Sequence, residues 1–156
     1  MPFNFSKDEV IILDFDNTIW IWRRDIIYSN MRPDFTMSRL MKESVYTPRY
    51  GFVPKRMREL IEFLTINRVE YYVLTAAKTS MESLDKQVFM DDEFGTKPSH
   101  VISVSSPEHK TEIIEGLMRI HKDKKFTLID DRIETLKECK HKLGITVYHP
   151  LEILTD

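Results

Sequence analysis

Apolar positions along the 156-residue chain alternate between two rhythms. Five short runs, Val10–Phe15, Tyr71–Leu74, Val101–Val104, Phe126–Ile129 and Ile145–Tyr148, are rich in β-branched and aromatic residues, and most lack polar alternation. Strands covered by helices on both faces of a parallel sheet read this way. Helical spacing appears between them. Pro54 opens one helix, with Met57, Leu60, Ile61 and Leu64 on one face. Thr79 with Glu82 reads as a capping box for a second, running towards Met90. Ser106 as N-cap and Pro107 at the first helical position open a third, with Ile113, Ile114, Leu117 and Met118 inward. The fourth runs from about Arg132 to Leu143, and Gly144 suits the position just past its end. This alternation predicts an α/β fold with a doubly wound parallel five-stranded sheet, one domain over 1–156, and ligands at the carboxyl ends of the strands. The stretch 21–52 breaks the rhythm and reads as a flap or minimal cap inserted after the first strand. Met31, Met37, Leu40 and Met41 within it have loosely helical spacing.

Two of the apolar runs end abruptly in acids. The first continues into Asp14-Phe-Asp16-Asn-Thr18, and the fourth into Asp130-Asp131. Period-two geometry tends to put Asp14 and Asp16 on one side of the strand exit, where like charges repel unless a cation or a shared proton offsets them. In a parallel sheet both acidic ends meet at one edge, and an all-oxygen cluster suits a hard divalent cation such as Mg²⁺. The rival reading of Asp130-Asp131 is a helix N-cap, and the two roles can coexist. The second run exits at Thr75, whose hydroxyl could donate to a phosphoryl oxygen, as could the N–H groups of the turn from Ala76. Lys110 falls in the first turn of the third helix, where the helix dipole disfavours a cation unless it faces an anion. Taken alone, Thr75 and Lys110 are ordinary strand-end and surface residues.

Composition adds limits. The chain is 42% hydrophobic and 31% charged, as globular proteins are, and no apolar run is long enough to cross a bilayer. The segment from Met1 to Val10 lacks the apolar stretch of a signal peptide, so a cytoplasmic protein is expected. Cys139, the single cysteine, lies at helical spacing from Leu136 and Leu143 and reads as a core residue. The net charge of −2 conceals an asymmetry: residues 23–58 carry nine Lys/Arg and three acids, +6, which leaves −8 for the rest. That segment is either a solvated basic face or a funnel for an anionic substrate.

Asp14-Phe-Asp16-Asn-Thr18, Thr75, Lys110 and Asp130-Asp131, in this order, resemble the four motifs of the haloacid dehalogenase (HAD) phosphohydrolase superfamily over nearly the whole chain. The resemblance implies a Rossmannoid sheet of strand order 5-4-1-2-3. It implies Asp14 as nucleophile, Asp16 as general acid/base, and Thr75 and Lys110 as further catalytic groups. It implies Mg²⁺ held by Asp14, Asp16 and the paired aspartates, with Asp131 preferred over Asp130 as the direct ligand. Thr18, Ala76, Arg23 and Arg24 are the expected substrate contacts. Ile19-Trp20-Ile21-Trp22, Gly51-Phe-Val-Pro54 and Leu143-Gly-Ile-Thr-Val-Tyr148 are similar to the magnesium-dependent (MDP-type) phosphatases; Thr75-Ala-Ala-Lys78 departs from them.

The expected activity is hydrolysis of a phosphomonoester through an aspartyl-phosphate. The insertion is too short for a full cap domain. An open site suits a phosphoprotein or nucleic-acid end, or a small substrate closed over by a partner subunit in a homodimer. One alternative keeps the chemistry and makes the substrate a polynucleotide 3′-phosphate or a nucleotide, since Tyr28, Phe35, Tyr46, Tyr50 and Phe52 interleave the basic segment. The other is a non-catalytic binding protein on the same fold.

Overall fold

The structure, a computed structural model, describes residues 3–23 and 44–154. Its centre is β1 (Glu9–Leu13), with Val10, Ile11, Ile12 and Leu13 fully buried. The chain continues through β2 (Ile21–Trp22), β3 (Gly51–Phe52), α1 (Lys55–Ile66), β4 (Glu70–Ala76), α2 (Ser80–Phe94) and β5 (Val101–Val104). It ends with α3 (Lys110–Ile120), β6 (Lys125–Ile129), α4 (Ile133–Leu143), β7 (Thr146–Tyr148) and the short α5 (Pro150–Ile153). The main sheet is parallel, in the order β5-β4-β1-β6-β7. Counting only these five strands in chain order, and reading from the β7 edge, that is the expected 5-4-1-2-3 arrangement.

Alternation along β1 divides the core in two. Ile11 and Leu13 face one side, where they meet Met57, Leu60, Ile61 and Leu64 of α1 and Phe89 and Met90 of α2. Val10 and Ile12 face the other, with Ile114 and Leu117 of α3 and Leu136 and Cys139 of α4. Both faces are therefore covered, which is why these strands lack polar alternation. Burial raises the Cys139 thiol pKa, as befits a packed core residue. No helix among the described residues is long and apolar enough to cross a membrane.

Local signals place most helix ends. Thr79 accepts from the Glu82 N–H at 3.1 Å, but Glu82 does not reciprocate as a capping box would; its Oε1 accepts from the Lys78 N–H at 3.3 Å. Gly144 ends α4 with φ 66°, a left-handed conformation that glycine adopts without penalty. Ser106-Pro107 begins a 3₁₀ turn over Pro107–His109 rather than the α-helix itself, so Lys110 becomes the first residue of α3.

The ends of the 21–52 insertion meet in an antiparallel pair, Ile21 opposite Phe52 and Trp22 opposite Gly51. Tyr46 packs among Phe15, Trp20, Trp22 and Phe89, fastening the returning chain to the α1–α2 side of the core. The helical spacing at Met31, Met37, Leu40 and Met41 lies outside the described residues. Gly51 closes the pair because nothing larger fits: a Cβ there would lie 2.4 Å from the Ile21 carbonyl oxygen and 2.7 Å from the Trp20 indole. Gly51→Ala is expected to destabilise the protein by about 1–3 kcal/mol, the usual cost of overpacking. Denaturant titration against wild type measures it; an unchanged midpoint would mean that the pair opens freely.

Candidate active site

β4, β1 and β6 are neighbours, and each delivers a polar residue to the same edge of the sheet. β1 stops at Leu13, one residue before Asp14, whose N–H still donates to the Ile129 carbonyl at 2.9 Å. Beyond it the chain turns sharply. The Phe15 carbonyl accepts from the N–H groups of Thr18, Ile19 and Trp20, and Asn17 takes a left-handed φ of 60°, which asparagine tolerates better than most residues. β4 brings Thr75, and β6 is followed directly by Asp130 and Asp131.

Lys110 joins two of these strand ends. Its ammonium donates to Asp14 Oδ1 and to Asp130 Oδ2, both at 2.8 Å, and all three side chains are buried. The second oxygen of each acid is also engaged: Asp14 Oδ2 accepts from the Thr18 hydroxyl at 3.3 Å, and Asp130 Oδ1 from the Arg132 N–H at 2.9 Å. Asp130 thus fixes Lys110 and the turn just ahead of α4 at once, although the N-cap position itself is Arg132, with no side-chain cap bond. The two carboxylates offset the cost of a cation at the start of α3.

Ligand oxygens of Asp14, Asp130 and Asp131 lie within 4.8 Å of one another. Three carboxylates against one ammonium leave an excess of negative charge in a largely water-free spot. Burial accordingly pushes Asp14 up to about 6, against the downward pull of Lys110. Burial, with the Asp14 charge added, pushes Asp130 up to about 6, and burial raises Asp131 as well. Lys110 is driven the opposite way by its own burial, but Asp14 and Asp130 together prevail and hold it above the usual lysine value. The donor set is all oxygen and short of positive charge, which fits a hard divalent cation.

Asp16 points elsewhere. It does not share the Asp14 cluster; its Oδ2 accepts from Lys86 at 2.8 Å and its Oδ1 from the Trp22 indole N–H at 2.9 Å. Lys86 is fully buried on α2 and also reaches Thr75 Oγ1 at 2.7 Å, the Ala76 carbonyl at 3.1 Å and Glu82 Oε2 at 2.9 Å. Thr75 is itself wholly buried, with its hydroxyl set towards the Ala76 carbonyl. The turn beyond it offers an anion fewer donors than expected from sequence, since the Ala77 N–H donates to the Val104 carbonyl and the Lys78 N–H to Glu82.

Seven residues expected from sequence are thus brought to one sheet edge: Lys110 binds Asp14 and Asp130, Lys86 binds Asp16, Thr75 and the Ala76 carbonyl, Thr18 bonds Asp14, and Asp131 joins the acid cluster. Arg23 is exposed at the end of the β2–β3 pair, and Arg24 lies outside the described residues. Of the other described cations of the basic segment, Lys55 and Arg56 pair with Glu59 and Arg58 pairs with Glu93, so much of that charge is compensated locally. Lys86 escaped the sequence reading, although its register with Phe89 and Met90 on the inward face of α2 was a signal for it.

The chain matches no protein-family model and no curated protein in sequence. Solved structures do resemble it. A haloacid dehalogenase-like hydrolase of Burkholderia xenovorans superimposes with a TM-score of 0.60 at 15% identity, over 92% of this chain and 81% of that one. The N-terminal part of a Bacteroides fragilis protein containing a phosphatase domain, complexed with Mg, gives 0.58 at 18% identity over 96% of this chain; the match spans 38% of that longer chain. The HAD domain of the Legionella pneumophila effector Lem4, as an inactive mutant, gives 0.52 at 10% identity, over 93% and 86% of the two chains. With its sheet order and these superpositions, the chain has the haloacid dehalogenase-like fold.

Proposed function

We propose that this protein is a Mg²⁺-dependent phosphomonoester hydrolase that works through an aspartyl-phosphate on Asp14. The observation that carries this reading is the Asp14 carboxylate at the exit of the central strand, with Lys110 at 2.8 Å and the oxygens of Asp130 and Asp131 within 4.8 Å. An Asp14 oxygen attacks phosphorus in line, and the substrate alkoxide leaves. Asp16 protonates that leaving oxygen and afterwards takes a proton from the water that cleaves the aspartyl-phosphate. Lys110, and Thr18 beside Asp14, stabilise charge on the phosphoryl oxygens. Asp14, Asp131 and the main-chain carbonyl of Asp16 would hold Mg²⁺, while Asp130, committed to Lys110 and Arg132, orients the lysine. When bound, the cation neutralises the clustered acids and polarises the phosphoryl group. The Bacteroides fragilis domain complexed with Mg supports the choice of metal. The narrower likeness to MDP-type phosphatases rests on the sequences 19–22, 51–54 and 143–148, and the turn at 75–78 departs from it.

Asp14→Asn is expected to fold, because Lys110 keeps Asp130, and to lose turnover by at least about 10³-fold. Assays of a panel of phosphorylated metabolites, phosphopeptides and oligonucleotides with Mg²⁺ test this, and an active variant would remove Asp14 as nucleophile.

The raised acids also govern stability. Asp14 and Asp130 sit near 6 in the folded protein, against an ordinary 3.8. The folded state therefore holds protons that the unfolded chain has released. Their contribution is fully present below the ordinary value and declines as pH rises through about 6. Metal-free protein should lose melting temperature between pH 5 and 7.5, and Mg²⁺ should restore more of it at pH 7.5 than at pH 5. Equal Mg²⁺ shifts at both pH values would place the cation elsewhere.

Arg23 and Arg24 lie at the start of the insertion and Arg49 near its end, and in this reading the segment 23–58 that holds them forms the substrate-facing rim. Replacing all three by Ala should raise KM for a phosphorylated oligonucleotide several-fold and barely change kcat on a small aryl phosphate. A steep loss of affinity with salt would favour a polynucleotide substrate; unchanged kinetics throughout would reduce these residues to surface charge.

A further inference from the structure

Lys86 is a wholly buried cation that the reaction outlined above does not use. Its ammonium lies 2.7–3.1 Å from four acceptors, Asp16 Oδ2, Thr75 Oγ1, Ala76 O and Glu82 Oε2, and 5.3 Å from the centre of the Phe15 ring. An ammonium has three protons, so none remains for a phosphoryl oxygen. Lys86 is therefore not a second Lys110. Glu82, four residues earlier on the same helix, would alone neutralise it. Its other three partners all belong to the site: Asp16 from the turn after β1, and Thr75 and Ala76 from the end of β4. Burying such a cation is costly, and a whole buried ion pair can often be replaced by apolar residues of similar volume with no loss of stability.

The second hold on Asp16 is the Trp22 indole N–H, at 2.9 Å from Oδ1. Trp22 belongs to β2, and it packs on Trp20 and Tyr46 at the base of the insertion. Both carboxylate oxygens are thus fixed, one from the core and one from the insertion. The side chain nevertheless stays 36% exposed, leaving lone pairs open to a reactant.

Resting on the phosphohydrolase reading, we infer that Lys86, assisted by Trp22, is a positioning residue that aims the Asp16 carboxyl group at the leaving oxygen. Protonated Asp16 gives its proton to that oxygen as the P–O bond breaks and Asp14–phosphorus bonding forms. The resulting carboxylate then accepts a proton from the water that attacks the aspartyl-phosphate.

The test compares Lys86→Met and Trp22→Phe with wild type on two esters, glycerol phosphate and p-nitrophenyl phosphate, using kcat/KM, which reports phosphoryl transfer to Asp14. A poor alkoxide leaving group needs the aimed proton; nitrophenolate needs it little. Both variants should lose about 10²-fold on glycerol phosphate and under about 10-fold on the aryl ester, with KM little changed. Equal losses on both esters, or none, would overturn the inference while leaving Asp14 chemistry intact. If Lys86→Met shows no cooperative melt, Trp22→Phe, which keeps the aromatic packing and loses only the N–H, decides alone. A wild-type protein inactive on both esters with Mg²⁺, or an active Asp14→Asn, would overturn the phosphohydrolase reading and this inference with it.

Discussion

The ion triad Asp14–Lys110–Asp130 is the constraint on which the rest of the site depends. A lysine with both neighbours at 2.8 Å and almost no contact with water cannot be traded for a neutral residue without stranding two buried acids. It also binds the exits of β1 and β6 through the first residue of α3. Strand, strand and helix are therefore registered against one another by charge as well as by packing. The resulting surplus of negative charge belongs to an all-oxygen donor set of the kind that suits a hard divalent cation.

The two lysines reach that edge from opposite faces of the sheet. Lys110 comes from α3, on the side packed by Val10 and Ile12; Lys86 comes from α2, on the side packed by Ile11 and Leu13. Each ammonium takes one aspartate of the Asp14–Asp16 pair, so two like-charged groups two residues apart are pulled apart and made inequivalent. Asp14 shares its cation with Asp130 beside Asp131, whereas Asp16 lies between a cation and an indole. Separate environments of this kind are what allow two carboxylates in one site to take different chemical tasks.

Much of this was legible in the sequence. Runs such as Val10–Leu13 and Phe126–Ile129 have no polar face to give a helix, and they end in acids that a buried strand would otherwise exclude. Strand positions were therefore clear, with ends shifting by at most two residues, as at β4, which extends from Glu70 to Ala76. Lys110, an ordinary surface lysine when taken alone, was picked out by its place in the order of the four motifs. Lys86 was not, because Glu82 and Lys86 at i and i+4 look like an ordinary solvent-facing pair on a helix. Its register with Phe89 and Met90 was the opposing signal, and the placement of α2 follows that register. The divergence of Asp16 from Asp14 was hidden for a related reason: strand periodicity ceases to apply at Asp14, where the chain begins to turn.

The position of β1 also bears on how the chain comes to be folded. Its neighbours are distant in sequence: Val10 pairs with Glu70 on one side and with Phe126 on the other. This apolar strand is therefore made before either partner and must wait for both, β6 last. Pairing at such separation is slow, and an unaccompanied strand of this composition invites association with other chains. Until β6 docks, β1 keeps one edge open to such association, and the charged edge beyond it cannot assemble.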